Sequence, residues 1–312
     1  MNSFELRGIV VPVITPLTQD DDVDVGSLKS LVRFLVEGGI DGLWVLGATG
    51  QFYTLSERQR DIVTEVAIEA AAGKVPVLIG CIDSSPDRCV ERGRRAKASG
   101  ADGIFATAPI YDAVTQVEVL AHFRRIRECV DLPLVAYNAF YATQTPFGVE
   151  TIVRLAEEGT LAGIKDSADV PEFRRLLVEL RHLSKFRIVT GHTYLADAAF
   201  MMGADGCVPV LGNLVPATYA NVRKAAARGD WAAARASQDE AVVLDRIIRT
   251  WNPGGSVFGN FFGAAKTVLH MLGVIECTNP GRPYPHPTAE QQARVRASLV
   301  SLGMLDREPV QK

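Results

Sequence analysis

Three times in this chain a helical stretch closes with Gly-x-Asp-Gly and runs directly into an apolar segment. The copies are Gly39-Ile40-Asp41-Gly42, Gly100-Ala101-Asp102-Gly103 and Gly203-Ala204-Asp205-Gly206. Glycine ends a helix well because, without a Cβ, it takes a positive φ freely, and Asp-Gly then turns the chain. A helix-to-strand joint repeated along one chain marks successive β-α units and restricts the fold to a parallel sheet, open or closed. On that basis eight short strands fall near residues 8–14, 42–46, 76–80, 103–107, 132–137, 162–166, 187–191 and 206–210. Amphipathic helices fill the gaps. The one over 56–72 opens at Ser56 with Gln59 three positions on, the pairing of a capping box.

Eight units in about 220 residues predict an α/β fold of the (β/α)8 TIM-barrel type. A doubly wound open sheet is the alternative, but no Gly-x-Gly-x-x-Gly turn follows the first strand, so a dinucleotide site has little support. Beyond the last strand the pattern changes. An Ala-rich helical segment covers 231–248 and a Pro-rich connector covers 278–287, so the chain divides into a barrel at 1–229 and a helical extension at 230–312.

Composition excludes several classes of function. A net charge of −3 and a sequence pI near 6.0 argue against nucleic acid or an anionic membrane as the main partner. The five cysteines (Cys81, Cys89, Cys129, Cys207, Cys277) form no close pairs, and the five histidines have no ligand spacing, so neither a disulfide framework nor a metal site is expected. The first residues carry no apolar signal core, and no apolar run is long enough to span a bilayer. These features point to a reducing, cytoplasmic setting.

In a barrel of this type, reactive groups gather at the carboxyl ends of the strands. The sixth strand ends in Gly163-Ile164-Lys165-Asp166-Ser167. A lysine there either leaves the strand to pair with Asp166 at the surface, or stays buried, loses its charge and becomes a nucleophilic amine. Alternation puts Gly163 on the same strand face as Lys165, which predicts space beneath the amine. The second strand is followed by Gly47-Ala48-Thr49-Gly50-Gln51, whose small residues leave backbone N–H groups free to hold a carboxylate. Tyr111 follows the fourth strand, and Tyr137-Asn138 ends the fifth. A phenol, an amine and an anion seat at one barrel mouth suit a Schiff-base site for a 2-oxo acid.

These motifs, in this order, resemble the dihydrodipicolinate synthase / N-acetylneuraminate lyase family of pyruvate-dependent class I aldolases. The resemblance rests on Gly47-Ala48-Thr49-Gly50, Tyr137-Asn138 and Gly163-Ile164-Lys165-Asp166, and runs from Pro12-Val13-Ile14-Thr15-Pro16 to the C-terminal helices. It implies a barrel with a helical extension, assembled as a homotetramer of paired dimers. It also implies that Lys165 forms an imine with pyruvate and Tyr137 shuttles protons. Gly47, Ala48, Thr49 and Gly50 would bind the pyruvate carboxylate, Val208 would line the pyruvate pocket, and Tyr111 would reach into a neighbouring subunit's site as a catalytic residue that helps relay protons. No metal or cofactor is implied beyond the covalent imine; the partners would be pyruvate and an aldehyde.

Departures from the family pattern bear on the substrate. Ala48 stands where dihydrodipicolinate synthases carry a threonine of their proton relay, and Gln51 where the loop usually closes with glutamate. Ala142 stands where they carry an arginine that holds the aldehyde's carboxylate. His192-Thr193-Tyr194 replaces the acidic residues of sialic acid lyases after the seventh strand. Lys165-Asp166-Ser167 resembles the segment in aldolases of 2-keto-3-deoxy sugar acids, so such an acid, or a related 4-hydroxy-2-oxo acid, is the expected substrate. Asn138, Thr143, Ser167, His192 and Asn213 are candidate hydroxyl contacts, while Phe140, Tyr141 and Phe147 would equally suit an aromatic aldehyde. Dihydrodipicolinate synthesis, a dehydratase or deaminase using the same imine, and a non-catalytic 2-oxo-acid binder stay open. Lys266, in Gly263-Ala264-Ala265-Lys266-Thr267, is expected to pack its stem and turn its charge outward.

Overall fold

A computed structural model of the chain describes residues 5–139, 141–249, 251–252 and 255–306. Eight parallel strands close into a barrel in sequence order, the first pairing with the last through Gly8↔Gly206 and Ile9↔Cys207. They are β1 Gly8–Pro12, β2 Gly42–Val45, β3 Val77–Gly80, β4 Gly103–Ala106, β5 Leu134–Asn138, β6 Gly163–Asp166, β7 Arg187–Thr190 and β8 Gly206–Cys207. Each is followed by a helix, giving α1 Val25–Glu37, α2 Glu57–Ala71, α3 Pro86–Ala98, α4 Gln116–Cys129, α5 Val149–Glu157, α6 Val170–Glu179, α7 Ala196–Met202 and α8 Pro216–Ala227. The chain continues through α9 Trp231–Val243, α10 Asp245–Arg249, α11 Val257–Met271 and α12 Ala289–Ser301.

The Gly-x-Asp-Gly joints do more than turn the chain. Their first glycines, Gly39, Gly100 and Gly203, have φ of 83°, 91° and 94°, where a side chain would be strained. Each aspartate then reaches sideways to the start of the preceding strand. Asp41 accepts from the Ile9 N–H, Asp102 from Val77 and Asp205 from Ile188, each at 2.8 Å. The motif thus satisfies backbone donors at the amino-terminal rim that no ladder bond reaches.

Strands β1 and β8 are shorter than expected, for local reasons. Pro209 has no N–H to continue the ladder, and a 3₁₀ turn, Val210–Asn213, follows it. Asn213, buried in that turn, donates to the Pro12 carbonyl at 2.9 Å and accepts from the Ile14 N–H at 3.1 Å, so side-chain bonds replace the end of β1. Helix α2 carries the predicted capping box, with Ser56 N donating to Gln59 Oε1 at 2.9 Å and Gln59 N to Ser56 Oγ at 3.3 Å. Apolar side chains of α11 and α12, among them Phe262, Leu269, Val295 and Leu299, join the barrel residues in one continuous core.

Candidate active site

Strand register brings the reactive groups together. Lys165 on β6 lies opposite Tyr137 on β5, and Asp166 opposite Asn138. Successive residues face opposite ways, so Lys165 and Asp166 separate. Asp166 takes a hydrogen bond from the Asn138 amide at 2.7 Å and is fully buried. Burial raises its carboxyl to a pKa of about 6. Lys165 is 4% exposed, and its Nζ lies 4.0 Å from the centre of the Tyr137 ring and 5.0 Å from that of Trp44. No carboxylate among the described residues forms an ion pair with it. Burial without a counter-charge penalises the ammonium form and lowers the Lys165 pKa to about 7. Near neutral pH, then, about half of the amine is uncharged. The surface ion pair with Asp166 does not form.

The space beside the amine comes from a different glycine than expected. A Cβ at Gly163 would meet the Arg187 carbonyl at 2.6 Å, so that residue allows β6 and β7 to approach. A Cβ at Gly191 would instead meet Ser167 Oγ at 2.0 Å and Lys165 Cε at 3.2 Å. Gly191, just after β7, is the residue that keeps the amine's flank open.

A cavity of about 750 Å³ opens here at the carboxyl ends of the strands, and Thr49, Tyr137, Lys165, Ser167 and His192 line it. Thr49 comes from the loop after β2, which folds back through bonds from Gly50 N to the Gly47 carbonyl and from Gln51 N to the Ala48 carbonyl, both 3.0 Å. Left-handed residues bracket this loop, Leu46 at φ 60° and Gln51 at φ 55°. The N–H groups of Ala48 and Thr49 have no partner among the described residues. Val208 is fully buried and donates its N–H to Thr190 at 2.7 Å; Val210 and Leu211, two and three positions on, form the cavity wall from that segment.

Tyr137 is buried, and its hydroxyl meets that of Tyr141. Burial first, then the neighbouring Tyr141, holds the Tyr137 phenol well above its ordinary pKa, with a bond from Ser167 working the other way. Tyr111 is not in the cavity of its own chain. It is 90% exposed, at φ 88°, and its carbonyl accepts from the Gln144 amide at 2.6 Å.

The model of the "Dihydrodipicolinate synthetase family" matches residues 5–302. The chain belongs to that family. A 4-hydroxy-tetrahydrodipicolinate synthase of Gluconacetobacter diazotrophicus is 29% identical over 98% of this chain and 100% of its own. One of Nitrosospira multiformis is 33% identical over 78% of this chain and 81% of its own. Among solved structures, dihydrodipicolinate synthase of Bacteroides thetaiotaomicron superposes with a TM-score of 0.90 at 28% identity, covering 96% of this chain and 100% of that one. YagE of E. coli K12, a prophage protein of the dihydrodipicolinic acid synthase family solved with pyruvate, gives 0.88 at 25% identity, covering 96% and 99%. Family members are lysine Schiff-base aldolases and lyases that use pyruvate, and this chain is a class I enzyme of that kind.

Within this family framework, the sequence reading of several residues changes. Lys266 on α11 does not turn outward. It is 0% exposed, donating to Gln51 Oε1 at 3.0 Å and to the Asn279 carbonyl at 2.9 Å, and burial lowers its pKa to about 7. It ties the end of the loop after β2 to the segment after α11. Asn138, Thr143 and Asn213 are occupied by protein partners and lie outside the cavity lining; Ser167 and His192 line the cavity, Ser167 bonded to Tyr137 and His192 Nε2 to the Ala168 carbonyl. Phe140 lies outside the described residues.

Other residues packed behind the amine or lining the cavity carry no assigned role from the sequence. Trp44 on β2 stacks on Phe105 with ring centres 3.7 Å apart and presents its face toward Lys165. Phe258, Asn260 and Phe261 enter from the start of α11, and Tyr194 and Asp245, joined by a 2.7 Å hydrogen bond, close the outer rim. Among the described residues, no group of three or more His, Cys, Asp or Glu side chains is placed to hold a metal ion, and no helix is long and apolar enough to cross a membrane.

Proposed function

We propose that this protein condenses or releases pyruvate on a 4-hydroxy-2-oxo acid through an imine on Lys165. The observation that carries this reading is a buried amine with no carboxylate partner among the described residues, facing a cavity beside a phenol and an open backbone loop. The Lys165 amine adds to the pyruvate ketone, and water leaves as the C=N bond forms. The protonated imine withdraws electrons, so the methyl carbon gives up a proton and becomes an enamine. That carbon attacks the aldehyde, whose oxygen takes a proton; hydrolysis then frees the lysine. Cleavage runs the same steps backwards. We assign Tyr137 as the acid/base, and Thr49 with the Ala48 and Thr49 N–H groups as the carboxylate seat, shaped by Gly47 and Gly50.

Two walls of the cavity favour a mixed substrate. Ser167 and His192 offer hydrogen bonds to a 4-hydroxyl, while Tyr141, Phe258 and Phe261 present an aromatic surface to the rest of the aldehyde. Exposed Ala142 supplies no guanidinium for a second carboxylate, which weighs against the activity named for the dipicolinate-synthase relatives. Tyr111, strained and solvent-facing, fits a role across a subunit contact in a homotetramer. Pyruvate release measured over 2-keto-3-deoxy sugar acids and aryl-substituted 4-hydroxy-2-oxo acids tests the reading. Release from either class supports it. Release from neither, with rapid condensation of pyruvate onto a carboxylate-bearing aldehyde, overturns it.

A further inference from the structure

We propose that Tyr141 relays the reaction's proton between the Tyr137 phenol and solvent, so that one chain supplies two phenols in series. The proposal rests on the imine reading above and concerns the step after the imine forms.

The need for such a residue follows from burial. Tyr137 is 3% exposed and borders the cavity that the substrate would fill, so with substrate bound a proton on its oxygen leaves through a neighbouring group. The loop after β2 offers no hydroxyl at Ala48. Two hydroxyls meet that of Tyr137: Ser167, inside the cavity, and Tyr141, whose residue is 48% exposed and also borders the cavity. The hydroxyl contact thus leads from the enclosed Tyr137 oxygen to a partly exposed residue at the cavity rim, whose phenol is itself largely buried.

Local structure explains how a residue only four positions after Tyr137 comes back over it. At the end of β5 the chain tightens through bonds from Ala142 N and Thr143 N to the same Ala139 carbonyl, at 2.7 and 3.0 Å. This reversal returns Tyr141 to the strand end. Its ring then lies 6.0 Å from that of Phe258, which belongs to α11, so the extension holds the phenol in place. Both phenols are raised above their ordinary pKa chiefly by burial. The bond from Tyr137 partly offsets this for Tyr141, making the outer phenol the easier of the two to ionise.

The proton balance closes. As the imine's methyl carbon gives its proton to Tyr137 Oη, the proton already on Tyr137 moves along the hydrogen bond to Tyr141 Oη. Tyr141 in turn releases its own proton to water, and the C–H electron pair stays with the enamine. The reverse flow protonates the carbon.

Tyr141→Phe keeps the ring on Phe258 and removes only the hydroxyl. Two readouts separate relay from packing: borohydride trapping of the pyruvate imine, and exchange of the pyruvate methyl hydrogens in D₂O followed by NMR. The expected result is trapping at the wild-type level with exchange slowed by on the order of 10²-fold or more. A second variant, 3-chlorotyrosine in place of Tyr141, lowers the phenol's own pKa with little change in shape. It should move the high-pH limb of the exchange profile to lower pH, which a packing role would not do. Exchange within about threefold of wild type in Tyr141→Phe, well short of a general acid/base effect, overturns the proposal, as does an unmoved profile in the chlorinated protein. Exchange kept in Tyr141→Phe but lost in Tyr111→Phe would give the role to Tyr111 and also overturn it. Equal loss of trapping and exchange would assign Tyr141 to packing. No trapping in the wild-type protein would overturn the imine reading, and this proposal with it.

Discussion

Replacing Lys165 with methionine should abolish the reaction and make the protein more stable. Methionine is a similar unbranched chain with no charge, so it fills the space among Trp44, Tyr137 and Gly191 without the cost of burying an ammonium group. The magnitude follows from the lysine's pKa, lowered by burial from 10.5 to about 7. A lysine whose folded pKa lies below its unfolded value binds fewer protons in the folded state. Its penalty is therefore full below pH 7, shrinks as pH rises toward 10.5, and is gone above that. At ~1.36 kcal/mol per pH unit, the penalty is about 4 kcal/mol at pH 7 and about 1 kcal/mol at pH 9.5. Urea unfolding of both proteins at one concentration, at those two pH values, measures the difference. Lys165→Met should be the more stable by a few kcal/mol at pH 7, with most of that gap closed at pH 9.5. A variant no more stable at pH 7, or a gap that ignores pH, would mean that the amine is not held uncharged.

Three other substitutions test neighbouring parts of the account. Tyr137→Phe should lower turnover by about 10²–10⁴-fold while leaving imine trapping intact, as read by product assay and mass spectrometry. Gly191→Ala places a methyl group 2.0 Å from Ser167 Oγ and 3.2 Å from Lys165 Cε; the trapping rate should drop by roughly tenfold or more, as near-attack geometry is lost. Lys266→Met, unlike Lys165→Met, strands two buried acceptors, Gln51 Oε1 and the Asn279 carbonyl. At about 1–3 kcal/mol each, their loss should offset the gain from removing a buried charge, so unfolding should show little or no stabilisation at pH 7.

What could be read from the sequence, and what could not, divides by distance along the chain. The strand starts were legible because the Gly-x-Asp-Gly joint is local chemistry: a left-handed glycine, a turn and a side chain that caps the neighbouring strand. Lys165, Tyr137 and Thr49 were legible as strand-end residues once the strands were counted. Phe258 and Asn260 were not, because they reach the cavity from a helix more than 90 residues after β6, and no periodicity records where that helix docks. Tyr141 was noticed as an aromatic neighbour, but its hydroxyl contact depends on a turn whose geometry the residues 138–143 do not announce. The error on Lys266 had a readable warning. Phe261-Phe262-Gly263-Ala264-Ala265 leads into it and Thr267-Val268-Leu269 follows, leaving the helix no polar face, and a helix apolar all round is buried. Its amine therefore had no water to reach.

The central claim is that Lys165 is the imine-forming amine, and one experiment addresses it most directly. The protein is incubated with pyruvate, reduced with borohydride, digested and mapped by mass spectrometry. The account predicts one reduced pyruvyl group on the peptide carrying Lys165, formed faster as pH rises through about 7, where the amine loses its proton. An unmodified folded protein, or an adduct on Lys266 in its place, would contradict it.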